Sequence, residues 1–594
     1  MPQSQRSPLA AQDVQVNVGY TGQLCESSPP ALPGGSPVPG QLTHPLPRSA
    51  AIMPQDVSPM GTVSFPESQH SSPSSSPTTP NLSVETHHGA NVQTHCNNLW
   101  TQLHAASCDG NPDIVRLLLE RGADLEAQLD DHSTPLHIAA ANGNAAAVRL
   151  LLDHGANIHA RRKDLWTPLH GASWSGNLDV VQLLLERGAD LEAQLEDQST
   201  PLYAAADNEK VSAVRWLLDH GANIQARRKD LWMPLHRASW SGNPDVARVL
   251  LERGADLEAQ LDDHGTPLFI AAANGNVAAI RLLLSHGANI HARRKDFWTP
   301  LHIASWSGNP EVLQLLLEHG ADPEAQLEDH STPLFAAVAN GNVAAVRWLL
   351  DHGANIQACR KDFWTPLHAA SCSRNPEVLR ALLERGVDLE APLDDRSTPL
   401  HMAVANGNIA AVRSLLDHGA NILARRNDLW TPLHTASWNG NADVVRLLLG
   451  RGAGLQAQQL RRHSTPLHVA ALYGRVAAVQ VLLEHGFFKH VRDNDGLTPL
   501  HHASSGQHLD IINLLLEERA DINIQDNQGR TPLHLAVHEG KVEAIQLLLR
   551  RGANVYARNN DHRTPLQLAE ARGDMLTIQL FSGYMRHISK KEVL

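Results

Sequence analysis

The residues best suited to chemistry in this 594-residue chain are its 35 histidines. Imidazoles bind transition metals and move protons near neutral pH, so their grouping decides whether either chemistry is open. Most fall in two recurring words, Pro-Leu-His and His-Gly-Ala, each in its own repeat unit, where they suit hydrogen bonds to turns better than shared coordination. His501 and His502 are neighbours on a helical stretch, so their rings diverge. His538-Glu539 lacks the second histidine of a zinc-hydrolase helix, and Glu539-Gly540-Lys541-Val542 lacks the glycine loop and hydroxyl residue of a phosphate-binding loop. Asp493-Asn494-Asp495-Gly496 opens like a calcium loop, but the later bidentate glutamate is missing. Cys25, Cys96, Cys108, Cys359 and Cys372 form no CxxC pair and no regular framework, which points to a reducing, intracellular compartment. We therefore expect no catalytic residue, no metal site and no cofactor.

A repeat positions these residues. A Thr-Pro-Leu-His-like word begins at Thr101, Thr134, Thr167, Thr200, Met233, Thr266, Thr299, Thr332, Thr365, Thr398, Thr431, Thr465, Thr498, Thr531 and Thr564. Every interval is 33 residues except the 34 between Thr431 and Thr465. Self-similarity at that period means a solenoid whose core grows one unit at a time. In residues 164–192, Thr167 is placed to cap a short inner helix, Pro168–Ser175, with proline where its missing N–H costs nothing. Gly176 ends that helix and Asn177 can cap an outer one, whose apolar face is Val180, Val181, Leu183, Leu184 and Leu185. Gly188 ends the outer helix, and an extended finger leads to the next unit.

Helix, turn, helix and finger in 33 residues resemble the ankyrin-repeat family over residues 86–594, about 15 repeats with a half-repeat at His88-Gly89-Ala90-Asn91. The resemblance implies a mainly α solenoid with β-hairpin fingers and a concave groove that binds a protein. Four units depart at the histidine, with Tyr203, Phe269, Phe335 and Gln567. The finger-turn glycine survives at Gly496 and Gly529, whereas other copies carry residues such as His132, Leu165 and Phe297, which predicts strain. Asp207-Asn208-Glu209-Lys210 and Arg374 break the glycine that ends the inner helix, and Gly450–His463 reads as a weak joint.

Up to Thr465 the units alternate in two types, giving a second period of 66. Basic fingers such as Arg161-Arg162-Lys163 face acidic ones such as Asp130-Asp131, an alternation that argues against a continuous phosphate-binding stripe. Twelve tryptophans stand out among few aromatics. Trp100, Trp166, Trp232, Trp298, Trp364 and Trp430 precede the threonine, while Trp174, Trp240, Trp306 and Trp438 lie on the inner helix. Matched to the family's pattern, both classes fall on variable groove-facing positions. From Trp166 onward we take them as the partner-binding candidates, since tryptophan buries large area at little entropic cost. Trp216 and Trp348 read as core or rim of the outer helix.

Residues 1–85 hold 15 of the 35 prolines and many serines, which predicts a disordered segment. Of its seven Ser/Thr-Pro steps, Ser58, Ser72, Ser76 and Thr79 are candidate phosphosites. A net charge of −13, no signal-like or membrane-spanning apolar run and no DNA-reading motif leave a protein partner, with no direct nucleic acid, membrane or small-molecule substrate. The chain resembles long ankyrin arrays of filamentous fungi. That likeness implies a scaffold with a regulatory role, for example a transcription co-regulator of a secondary-metabolite gene cluster, and favours the nucleus over the cytoplasm. The alternatives are a sensor or adaptor arm of an immune-type receptor or a ubiquitin-ligase assembly.

Overall fold

The computed structural model describes residues 101–373, 375–454, 464–487 and 489–591, with side chains through Arg586. The half-repeat at 88–91, Trp100, the segment 1–85 with Ser58, Ser72, Ser76 and Thr79, and most of the joint at Gly450–His463 lie outside these residues. Among the described residues, thirty helices form fifteen inner–outer pairs, one for each Thr-Pro-Leu word. The unit read above is realised as drawn, with an inner helix Pro168–Ser175 and an outer helix Leu178–Glu186. Leu169, Ala172, Val180, Val181 and Leu184 are essentially inaccessible. Each such leucine or valine contributes roughly 1.5–3 kcal/mol by leaving water. Inner helices pack on inner helices and outer on outer, so each unit's core is completed by its neighbours.

The asparagine after the inner helix has a second role that the sequence did not reveal. Asn177 makes no cap bond to its own outer helix. Its amide donates instead to the Gly143 carbonyl of the preceding unit, at 3.1 Å. Asn276 likewise donates to the carbonyls of Ser239 and Trp240, at 2.9 and 2.6 Å. The Ser239 and Trp240 carbonyls lie in the last turn of the previous inner helix and have no partner within it, and Gly143 lies just past the end of its own. Gly143 has φ 78°, and a Cβ there would collide with the Asn177 side chain, so glycine and asparagine form one inter-unit device. Where proline follows, at Asn111, Asn243, Asn309 and Asn375, the asparagine does cap its own outer helix.

The expected β-hairpin fingers are hydrogen-bonded turns, and no strand occurs among the described residues. The Leu129 N–H donates to the Ser133 carbonyl (3.0 Å), and the Lys163 N–H of the next finger to the Asp131 carbonyl (3.0 Å). So few bonds close a turn without building a ladder. Eleven fingers place a side-chain-bearing residue in left-handed backbone, including Leu165 at φ 66°, Phe297 at 67° and Phe363 at 63°. Gly496 and Gly529 hold the same turn at 76° and 71°. The cost to an L-residue is about 1 kcal/mol or more.

The finger charges are partly spent inside the array. The middle arginine of each basic finger turns inward. Arg294 pairs with Asp263 of the previous finger (3.0 Å) and Asp296 of its own (3.5 Å) while covering the Phe269 ring. Arg162, Arg228, Arg360 and Arg426 repeat the bridge. Arg228 also donates to the Tyr203 hydroxyl at 3.1 Å, and the three units with Tyr203, Phe269 and Phe335 in place of histidine use the ring as a platform for arginine.

Candidate functional site

The site candidates rest on how each unit fixes its histidine. In the unit at Thr299 the threonine N–H donates to His302 Nδ1 (3.4 Å), and His302 Nε2 lies 3.3 Å from the Ser331 carbonyl of the next unit. A carbonyl can only accept, so Nε2 carries the proton and the ring is neutral. Nine histidines make this bridge to the carbonyl before the next threonine. Burial pushes His137, His170, His236, His302, His368, His401, His434 and His501 down to about 4. The nine bridged rings staple one unit to the next. Among the described residues no group of three or more His, Cys, Asp or Glu could hold a metal ion. No helix there is long and apolar enough to cross a membrane.

The two tryptophan classes part company in the structure. Trp166, Trp232, Trp298 and Trp364 are buried, each 6–8% exposed, which corrects the expectation that they face an open groove. The reason is that the finger folds each ring onto its own inner helix. The Trp298 ring lies 5.9 Å from His302 and 6.0 Å from Trp306, the latter edge to face, and the Trp298 backbone N–H donates to the Asp296 carboxylate at 3.3 Å. Trp430 is only half-buried and packs beside His434. The inner-helix class, Trp174, Trp240, Trp306 and Trp438, is half-buried throughout. Trp174 leans on Trp166 edge to face at 6.1 Å, and Trp438 on Tyr473 at 6.3 Å. Each is therefore a braced plate with part of its surface free. Trp216 and Trp348 are half-buried on the outer helices and stack on His220 and His352 at 3.5 Å.

One cluster escaped the sequence reading. Arg237 forms an ion pair with Asp207 of the preceding inner helix, and its guanidinium lies 4.2 Å above the Trp240 ring. Burial raises the Asp207 carboxyl above its ordinary range, and the Arg237 charge opposes that rise. The signal was present in the sequence, because the equivalent residues are small or apolar elsewhere. Ala141 and Ala273 correspond to Asp207, and Gly171 and Ile303 to Arg237. Asp207-Asn208-Glu209-Lys210 does lack the helix-ending glycine, and Glu209 takes the left-handed conformation in its place, at φ 60°.

The inner-helix face thus offers aromatic plates and an ion pair, an arrangement suited to binding. The family model described as ankyrin repeats (3 copies) matches residues 103–195, 190–261, 257–327, 323–392, 389–459 and 452–526. A second, ankyrin repeats (many copies), matches residues 506–549. A crystal structure of the human ASB11 ankyrin repeat domain is 30% identical, over 38% of this chain and 99% of that one, with a TM-score of 0.35. No curated protein matches the chain. With family-model matches running through residues 103–549, this chain belongs to the ankyrin-repeat family.

Proposed function

We propose that this protein is a non-catalytic interaction scaffold whose inner-helix face holds a protein partner through Trp174, Trp240, Trp306 and Trp438. The observation that carries this reading is the row of half-buried indoles on the inner helices, Trp174, Trp306 and Trp438 braced edge to face by another aromatic ring and Trp240 by the Arg237 guanidinium. Preorganised aromatic plates of this kind dominate binding energy at protein interfaces. The buried Trp166, Trp232, Trp298 and Trp364 act as supports, and Trp430 sits between the two classes. The role is regulatory, and transcription co-regulation is the form we favour. The seven Ser/Thr-Pro steps in residues 1–85 and the absence of a DNA-reading motif in the sequence support it.

The test is affinity purification with mass spectrometry on the intact protein and on a Trp240→Ala/Trp306→Ala variant, both checked by circular dichroism. Loss of transcription-machinery partners by the variant alone is the expected result. Identical partner sets would remove the inner-helix face from the binding site. Exclusion of the protein from the nucleus would end the co-regulator reading and leave the scaffold.

A further inference from the structure

We propose that the fingers carrying Phe363, Arg396 and Arg425 form a docking cleft for an acidic partner segment that inserts one apolar side chain. The cleft uses none of the inner-helix tryptophans, so it goes beyond the scaffold reading above. It is an open cavity of about 520 Å3 between three successive fingers, lined by Phe363, Pro392, Leu393, Arg396, Ala424 and Arg425. The internal repeat shows why it opens at this place. In two sister fingers, Arg161 and Arg293 donate to the carbonyls of Gln194 and Gln326 in the following finger, at 3.2 Å, and span the gap. The equivalent pair here is Cys359 and Pro392, which removes the long arginine. Two further exchanges fall in the same fingers. Arg396 stands where other copies carry His132, Gln198, His264 and His330, and Leu423 where they carry His159, Gln225, His291 and Gln357. These departures from the copied word replace a polar rung with apolar surface and one added cation.

Phe363 is 50% exposed and sits in left-handed backbone, at φ 63°. Glycine holds the same turn without strain at Gly496 and Gly529. A large ring kept exposed in strained backbone is unfavourable on both counts, a combination typical of residues retained for contact. Leu423, next to the lining residue Ala424, is half-exposed as well. The charges select the partner. Arg360 is bound to Asp329 and Asp362, and Arg426 to Asp395 and Asp428. Arg396 and Arg425 are exposed and make no ion pair or hydrogen bond among the described residues. On the acidic side, Glu390 and Asp394 also line the cleft. The Glu390 carboxylate accepts the Asn421 N–H at 2.6 Å, which leaves Asp394 as the lining carboxylate without a partner among the described residues. Two free guanidiniums beside one free carboxylate favour an anionic ligand, and guanidinium matches the carboxylate geometry. An apolar side chain seated on Phe363 and Leu393 gains by leaving water.

The test titrates the full-length chain with three blocked, dye-labelled pentapeptides, Asp-Asp-Phe-Asp-Asp, Lys-Lys-Phe-Lys-Lys and Asp-Asp-Gly-Asp-Asp, read by fluorescence anisotropy. Saturable binding of the acidic phenylalanine peptide with Kd below about 1 mM is expected, and at least about tenfold weaker binding of the other two. Phe363→Gly, which removes the ring and suits the turn, should weaken it at least about tenfold. Arg396→His and Arg425→Cys, which copy sister fingers, should each weaken it about threefold or more. Phe297→Gly makes the same change two units earlier and should leave binding unchanged. Circular dichroism checks that each variant folds. No saturable binding below about 1 mM, equal binding by Phe363→Gly, equal binding of the basic peptide, or an equal loss in Phe297→Gly overturns the proposal. Partner capture through Trp240 and Trp306 is measured separately, so the cleft and the scaffold reading stand or fall independently.

Discussion

Trp298 and Trp306 lie eight residues apart in one unit, their rings 6.0 Å from each other, yet they do opposite work. Trp298 is 8% exposed, locked between its finger and His302, and holds the unit together. Trp306 rests edge-on against it and keeps part of its surface open. Residue type alone does not separate them, since both are tryptophans repeated every 66 residues. The difference lies in the backbone. The finger doubles back and buries what precedes the threonine, whereas the tryptophan near the end of the inner helix stays half-exposed. One class supplies rigidity so that the other can present a preorganised surface.

Acid should expose the buried side of this comparison most strongly. Eight histidines sit at about 4 in the folded array against an ordinary value of 6.5. Between those values the unfolded chain takes up protons that the folded array refuses. Stability is therefore full above pH 6.5 and falls as the pH drops toward 4, by about 1.4 kcal/mol per pH unit for each histidine that unfolds. Urea denaturation at pH 7, 5.5 and 4.5 measures this, and a flat response would refute the neutral-histidine staple. His302→Phe, which copies Phe269 and Phe335, should reduce the slope by about one proton.

Trp298→Ala should cost roughly 3–5 kcal/mol, as for other buried aromatics, and melt the neighbouring units at lower urea. Asn276→Ala, which frees the Ser239 and Trp240 carbonyls, should cost about 1–2 kcal/mol, seen as faster hydrogen exchange in the inner helix Pro234–Ser241. Phe297→Gly works in the other direction. Relief of its left-handed backbone should raise stability by up to about 1 kcal/mol, and a loss of stability would show that the half-exposed ring packs usefully. Trp306→Cys should change stability least, by under about 1 kcal/mol, while partner capture falls. A stability loss as large as that of Trp298→Ala would erase the distinction between the two classes.

Much of the fold was legible because the repeat word carries its own local instructions. Thr167 and Pro168 start a helix, Gly176 stops it, and the inner helix forms over Pro168–Ser175 as read. Finger strain was legible too, since Leu165 and Phe297 stand where Gly496 and Gly529 occupy the same turn. The candidate site was legible only in part. Asn177 looked like a cap for its own outer helix, because nothing local says that its amide reaches the unit before. The alternation of basic and acidic fingers was legible, but the inward turn of Arg294 was not, because it depends on Asp263 from another unit.

The sequence by itself determined the number of units, their period, the helix ends and the identity of the capping histidines, because these rest on interactions within a few residues or on the repeat itself. Only the tertiary structure decided which tryptophans are open, which arginines are spent and which amides bridge units. Those outcomes depend on contacts about 30 residues or more apart in the chain, such as His302 with Ser331 and Asn276 with Ser239. They exist only once one unit is stacked on the next.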